Sequence, residues 1–234
     1  MSSPRSTEFK LAVFDVAGTT VLDEDAVVEC LIKVLEARVS VSRRQVLEVM
    51  GLPKPVAIRQ LLAASDSVTA AALDAAVDEA HEAFRLVMVQ RYRDGAIAPA
   101  EGAEALFAAL KEAGVRVALD TGFSRDILDT ILRRLGWQGG RIVDFSVASD
   151  EVERGRPHPD LIYRAMSLAQ VTEPALVAKI GDTPSDIEEG LAAGCGLVVG
   201  VTYGTHSADE LDGPGVQIID RLSDLLPLIG LGVS

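Results

Sequence analysis

Two kinds of text alternate along this chain. Short apolar runs end in an acid, a threonine or a glycine, and longer stretches repeat apolar positions every three to four residues. Residues 10–15, KLAVFD, form an apolar run that closes on Asp15 and is followed by Val16-Ala17-Gly18-Thr19-Thr20. This is the pattern of a buried strand and a glycine turn. After residue 95 the runs VRVALD (115–120), FSVAS, ALVAKIGD and LVVGVTYG read as strands. Between them AEALFAALKEAG, RDILDTILRRLG, PDLIYRAMSLAQ and PSDIEEGLAAG read as helices. Leu106, Phe107 and Leu110 share one face of the first of these, Gly114 is its stop, and Ser124 is expected to cap the second. A weaker unit, VQIIDRLSDLLPLI, closes the chain.

Strand–helix alternation of this kind predicts an α/β fold with a doubly wound parallel sheet. Residues 22–93 break the alternation with helical text and few strand signals. Ser42-x-x-Gln45 is a capping box, Gly51, Pro53 and Pro55 interrupt the chain, and helices resume at VAIRQLLAA and over about 69–92. The expected organisation is a core of residues 1–21 and 94–234, interrupted by a helical cap domain at 22–93. The linkers fall near 20–23 and 92–98.

Composition narrows the functions. Of 234 residues 48% are hydrophobic, enough to bury a core, and the formal net charge is -13. That sign argues against nucleic acid, which is bound by clustered Lys and Arg. A small anionic substrate stays admissible, because a metal and a few local cations outweigh the global sign. No apolar run reaches the roughly 18 residues that span a bilayer, and MSSPRSTEFK lacks the apolar middle of a signal peptide. No membrane partner and a cytoplasmic location are therefore expected. Cys30 and Cys195, far apart and in no metal spacing, read as reduced thiols.

In a doubly wound sheet, ligands bind beyond the carboxyl ends of the strands. There the sequence offers Asp15, then Thr121-Gly122, then Gly155-Arg156-Pro157, then Gly181-Asp182-Thr183-Pro184-Ser185-Asp186. Together these supply three carboxylates, a hydroxyl, free backbone N–H groups and one guanidinium. Mg²⁺ prefers oxygen ligands, often one or two carboxylates with water and substrate phosphate. Asp15 and Asp182 suit it, while Thr121, the Gly122 N–H and Arg156 suit phosphate oxygens. Taken singly, Asp186 is a helix-dipole residue and Arg156 a surface arginine. The ordered set carries the inference.

FDVAGTT, the segment Thr121-Gly122-Phe123, GRPHP and GDTPSD resemble the four ordered motifs of the haloacid-dehalogenase (HAD) superfamily, and the resemblance spans nearly the whole chain. Phosphatases of that superfamily usually carry Asp-x-Asp-Gly-Thr in the first motif. Here the second acid is Ala17, and the third motif has Arg156 where lysine is commoner. Both departures resemble the phosphonoacetaldehyde hydrolase (phosphonatase) branch, which also places a lysine after Met-Gly in the insert. This chain has Met50-Gly51-Leu52-Pro53-Lys54. It is most similar to the phosphonatase-like hydrolases.

The resemblance implies a HAD-like Rossmannoid core and a Mg²⁺-dependent hydrolase. It implies Asp15 as nucleophile and metal ligand, with the Ala17 carbonyl and Asp182 as further ligands. Asp186 would orient groups around the metal, Thr121, Gly122 and Arg156 would hold the phosphonate or phosphate, and Lys54 would form a Schiff base. Two positions differ from the phosphonatases. Ala57 stands where they have His, and Phe123 where they tend to have Tyr.

Alanine at 17 makes chemical sense. An alkoxide leaving group benefits from a general acid by roughly 10²–10⁴ in rate, and alanine supplies none. A carbon–phosphorus bond beside an iminium needs none there, because the iminium is the electron sink. The lysine must be neutral to attack a carbonyl, so its value must fall from about 10.4 toward roughly 7–8. Alone, Lys54 on a proline-bounded loop reads as a solvated lysine.

The expected substrate is a small 2-oxo-alkylphosphonate, with a phosphorylated metabolite and a HAD-type phosphatase as the alternative. A dehalogenase fits GDTPSD poorly, and a binding module has no use for Asp15 in particular. A homodimer is compatible with the sequence. His158 is expected at a helix start, and His81 and His206 as surface or satisfied residues. Asp23, Glu24 and Asp25 are read as linker solvation rather than as the lining of an entrance.

Overall fold

The computed structural model describes residues 7–22, 25–65 and 67–232. Chain order gives β1 (Leu11–Asp15), β2 (Val21–Leu22), α1 (Ala26–Leu35), α2 (Arg43–Leu47), α3 (Lys54–Ala63), α4 (Leu73–Asp94) and β3 (Ala98–Pro99). It continues with α5 (Ala103–Glu112), β4 (Arg116–Thr121), α6 (Arg125–Leu135), β5 (Phe145–Ala148), α7 (Asp160–Ala169), β6 (Val177–Gly181) and α8 (Pro184–Ala193). The last elements are β7 (Leu197–Val201), α9 (Ala208–Leu211), β8 (Val216–Ile219) and α10 (Leu225–Leu228).

Six strands form one parallel sheet in the order β5-β4-β1-β6-β7-β8. β1 is central because it is apolar on both faces and buried along its length. Ala12 and Phe14 join the cluster that contains Phe107, Ile127 and Leu128. Leu11 and Val13 join the opposite one with Leu161, Ile162 and Ala165 of α7. The chain leaves β1 toward β4 and β5, then returns to β6 on the other side. That reversal creates a crevice at the β1 tip. The register sets Asp15 beside Asp120 and Phe14 beside Ile180, so the β4, β1 and β6 tips converge.

Helices α1–α4 lie between β2 and β3, which pair antiparallel as a two-stranded ribbon. The Ser42 capping box forms, with the Ser42 N–H donating to Gln45 Oε1 at 2.9 Å. The helices are not isolated from the sheet. Val27, Leu31, Ile58, Phe84 and Met88 belong to the same buried cluster as Phe14 and Leu119. Arg85 of α4 pairs with Asp126 of α6, and Tyr92 meets Phe123 edge-on at 5.9 Å between centroids.

Some local expectations change. Ser124 occupies the position before α6, but its hydroxyl donates to Asp126 Oδ1 at 2.6 Å and makes no bond to the helix backbone. The short helix α9 was not expected. Its signature is Ser207-x-x-Glu210, a capping box that does form. Among the described residues no helix is long and apolar enough to cross a membrane. Cys30 and Cys195 form no disulfide.

Candidate active site

The turn after β1 is shaped by what it must touch. Thr20 Oγ1 donates back to the Asp15 carbonyl at 2.8 Å, and the Gly18 N–H donates to the Val21 carbonyl at 2.9 Å. Gly18 has φ +92, and a Cβ there would lie 2.2 Å from Asp182 Oδ2, so only glycine fits. Asp182 itself is fixed from two sides. Thr19 Oγ1 donates to its Oδ1 at 3.0 Å, and the Thr205 N–H donates to its Oδ2 at 2.7 Å. Asp186 sits one turn into α8, where Thr183 Oγ1 donates to its Oδ2 at 2.6 Å as part of a capping box.

Below these tips lies a buried charge network. Arg156 Nη1 donates to Asp15 Oδ1 at 2.5 Å and lies 3.0 Å from Asp186 Oδ1. Its Nη2 donates to Asp120, and its Nε donates to Glu189 Oε2 at 2.9 Å. Lys179, in the middle of β6, reaches the same acids. Its Nζ lies 2.6 and 2.8 Å from the Asp120 oxygens, 3.0 Å from Glu189 Oε2 and 3.1 Å from Asp186 Oδ1. Every member of the network is buried.

Four carboxylates, those of Asp15, Asp120, Asp186 and Glu189, thus face two cations, and the Asp182 carboxylate lies beside Asp15 and Asp186. The surplus shows in their proton affinities. Burial pushes the Asp15 carboxyl up to about 8, the charge of Arg156 only partly opposing it. Burial, with the Asp120 charge added, pushes Glu189 up to about 8. Asp182 is raised by burial and by Asp186. At Asp120 burial is outweighed by Arg156 and Lys179, and the group lies below its ordinary value. Burial opposes the charge of Arg156 and Lys179, but the surrounding acids outweigh it and hold both raised.

That surplus fits a divalent cation. Asp15, Asp182 and Asp186 each offer an oxygen, and these atoms lie within 4.8 Å of one another. An all-oxygen donor set suits a hard ion rather than a soft one. Asp186 Oδ1 is buried and makes no hydrogen bond in spite of its two cationic neighbours.

The loop before α3 closes over the site. Gly51 has φ +82, and a Cβ there would meet Thr183 Oγ1 at 2.2 Å. A Cβ at Gly122 would lie 2.6 Å from the Leu52 carbonyl oxygen, and one at Gly155 would lie 2.3 Å from Pro53 Cγ. The loop can therefore sit this close only because the core presents glycines. Lys54, the first residue of α3, is carried inward and is 4% exposed. Its Nζ donates to the Leu52 carbonyl at 3.3 Å and stands 5.4 Å from the Phe123 ring centroid. A small cavity of about 20 Å³ is lined by Lys54, Asp15, Ala17, Thr121, Gly122 and Arg156, among others.

Of the residues singled out from sequence, Asp15, Ala17, Lys54, Thr121, Gly122 and Arg156 thus meet on one cavity, with Asp182 and Asp186 beside Asp15. Asp120, Lys179 and Glu189 were missed. A lysine inside the apolar run ALVAKIGD was the available signal, since a charge in a doubly buried strand requires a partner. His81 lies in a separate cleft beside Arg85 and Arg125. His206 is corrected: it is buried and its Nδ1 has no hydrogen-bond partner. Asp25, read as solvated, is exposed and pairs with Arg43 at 2.8 Å, and it also lines the wider space outside the cavity. Asp23 and Glu24 lie outside the described residues.

Comparison with known proteins follows the same lines. The family described as haloacid dehalogenase-like hydrolase matches residues 12–199. A phosphonoacetaldehyde hydrolase of Bacillus cereus is 31% identical over 207 residues, covering 85% of this chain and 77% of the relative. A phosphonoacetaldehyde hydrolase-like protein from Oleispira antarctica has a similar fold, with TM-score 0.80 and 21% identity over 98% of this chain and 94% of that one. The CbbY protein of Rhodobacter sphaeroides, solved with xylulose-1,5-bisphosphate, reaches TM-score 0.80 at 22% identity, over 95% of this chain and all of that one (100%).

Proposed function

The chain belongs to the haloacid dehalogenase-like hydrolases, and from this premise we propose that it hydrolyses the C–P bond of a small 2-oxo-alkylphosphonate. The carrying observation is the placement of buried Lys54 on the same cavity as Asp15 and Arg156, in a chain with Ala17 where a general acid would stand. The curated relatives named phosphonoacetaldehyde hydrolase support the reading.

In this reading residues 22–93 act as a cap whose closure excludes water and delivers Lys54. The neutral Lys54 amine adds to the substrate carbonyl and water leaves, giving an iminium. Arg156, Thr121 and the Gly122 N–H hold the phosphonate oxygens. Asp15 attacks phosphorus, the C–P electron pair moves to the iminium to form an enamine, and an aspartyl phosphate results. Water hydrolyses that acyl phosphate. The enamine takes a proton at carbon, and hydrolysis of the resulting imine frees Lys54 and the carbonyl product. The sum is phosphonate plus water giving phosphate and an aldehyde or ketone. Mg²⁺, held by Asp15, Asp182 and the Ala17 carbonyl with Asp186 alongside, would supply charge neutralisation at the phosphoryl group. The reaction is assigned to the cytoplasm.

Borohydride added during turnover of phosphonoacetaldehyde is expected to inactivate the enzyme and leave an adduct on Lys54 in peptide mass mapping. Lys54→Arg is expected to lose at least 10³-fold in C–P cleavage, because guanidinium is not deprotonated in proteins. Phosphate release without any trapping, with Arg substituting freely, would instead indicate a phosphatase in which Lys54 only attracts an anion.

A further inference from the structure

The catalytic cavity does not end at Lys54. Ala17, Val27 and Met50 line both it and a second space of about 390 Å³ that opens toward α1 and α2. The tightly seated loop forms another part of the inner boundary, with Gly51 against Thr183 and the Leu52 carbonyl against Gly122. A substituent on the carbonyl carbon can extend past Val27 and Met50 into this second space. Leu22, Val27, Val28, Leu47 and Met50 give the outer chamber an apolar wall, and its lining also includes Asp25, Arg43, Tyr203 and Thr205. Its one cationic side chain, Arg43, is matched by Asp25 at 2.8 Å, so the pair presents little net charge to a ligand. Leu22 is 43% exposed, an apolar surface that a ligand would cover. Tyr203 does not offer its proton, because its hydroxyl donates to the Thr19 carbonyl at 2.7 Å.

We propose that this outer chamber is a substrate subsite for a neutral alkyl group on the carbonyl carbon, so that the preferred substrates are 2-oxo-alkylphosphonates longer than the two-carbon aldehyde. The inference rests on the C–P hydrolase reading and makes it more specific. Val27 and Met50 form the throat, and Val28 and Leu47 set the depth. A two-carbon aldehyde carries only hydrogen at that point and would leave the chamber wet. Each methylene placed against the apolar wall removes surface from water and is worth about fourfold in kcat/KM.

The experiment measures phosphate release by the Mg²⁺-loaded wild-type enzyme on 2-oxopropyl-, 2-oxobutyl-, 2-oxopentyl- and 2-oxohexylphosphonate, with phosphonoacetaldehyde and 3-phosphonopyruvate alongside. Comparison within the ketones keeps carbonyl reactivity constant. A rise in kcat/KM of at least tenfold from the propyl to the hexyl member is the expected result. Leu47→Trp, which fills the chamber, is expected to flatten the series at least fivefold. Val28→Phe does the same from the other wall should the first variant fold poorly. A flat or falling series with phosphonoacetaldehyde cleaved well would overturn the subsite and leave the C–P reading intact, as would strong preference for the carboxylate-bearing 3-phosphonopyruvate. Turnover of phosphate esters with no phosphonate cleaved would overturn the C–P reading itself.

Discussion

Replacing Lys179 by methionine tests whether the buried network is held by charge balance. The side chain is wholly buried, and methionine keeps most of its volume without the ammonium. The loss centres on Asp120, whose two oxygens lie 2.6 and 2.8 Å from Nζ. Glu189, pushed up to about 8, is mostly protonated at pH 7 and loses little. Asp186 and Asp120 both keep Arg156. Removing one partner of a buried pair costs about 3–5 kcal/mol, and the retained arginine places this case near about 3 kcal/mol. For a chain of this size that corresponds to a fall in Tm of roughly 6–12 °C.

The pH dependence distinguishes this from a simple packing loss. Asp120 is held below its ordinary value, so in the wild type its stabilisation is present above its unfolded value and fades as pH falls through the depressed one. Without Lys179 the buried carboxyl takes up a proton more readily. The difference between the two proteins should thus be largest near pH 7 and shrink toward pH 4. Urea denaturation of both proteins in chelator across this range reads the effect. A loss under about 1 kcal/mol at pH 7, or one independent of pH, would refute the argument from charge balance.

Asp15→Asn is expected to lower kcat by at least 10³-fold without lowering Tm in metal-free buffer, since burial already opposes the Asp15 charge; a clear fall in Tm would contradict this. With Asp15 near 8 and its proton displaced by the cation, apparent Mg²⁺ affinity should rise about tenfold per pH unit up to that value and level off above it. Conversely, the metal-free protein should lose stability as pH rises from about 4 to 8, because the native state holds a proton that the unfolded chain has released; calorimetric titration and Tm with and without Mg²⁺ check both signs. Gly122→Ala should push the Lys54 loop off its seat, since its Cβ would lie 2.6 Å from a backbone oxygen. It should cut turnover at least tenfold, and unchanged steady-state kinetics would remove the seating argument.

Much of this architecture was legible because buried parallel strands are near-continuous apolar runs and their tips break that pattern. LAVFD and VAKIG are buried throughout, as that pattern requires. Asp15 and Asp182 were visible as charges at the ends of such runs. Lys179 was overlooked because it lies within its run, where the apolar neighbours set the reading, and Asp120 because the Thr121-Gly122 pair that follows it drew the reading of that strand tip. Glu189 follows Asp186 by three residues, a spacing that puts both on one face of α8, but an acid on a helix reads first as solvated. His206 was misread for a similar reason. The polar text around it, GTHSADE, gives no sign of the burial that tertiary packing imposes. The seat of the Lys54 loop was beyond reach, since Gly122 and Gly155 matter through contacts with residues about 70 and 100 positions away in sequence.

The missed residues explain a departure that the motifs alone left as a label. Arg156 stands where lysine is commoner, and its three nitrogens point to different acids: Nε to Glu189, Nη1 to Asp15 and Asp186, Nη2 to Asp120. A planar guanidinium holds such a fan in fixed directions, which a single ammonium on a flexible stem does not. The arginine therefore belongs with Asp120 and Glu189, which anchor two of its nitrogens away from the reacting oxygen and leave Nη1 directed at Asp15. Lys179 then balances the acids that the arginine requires. The four residues form one device, and none is informative without the others. Its consequence is a cation held in one orientation beside Asp15 in a buried network, where electrostatic interactions are stronger than in water. The arginine of the third motif and the acid pair at 120 and 189 should therefore be exchanged together or not at all.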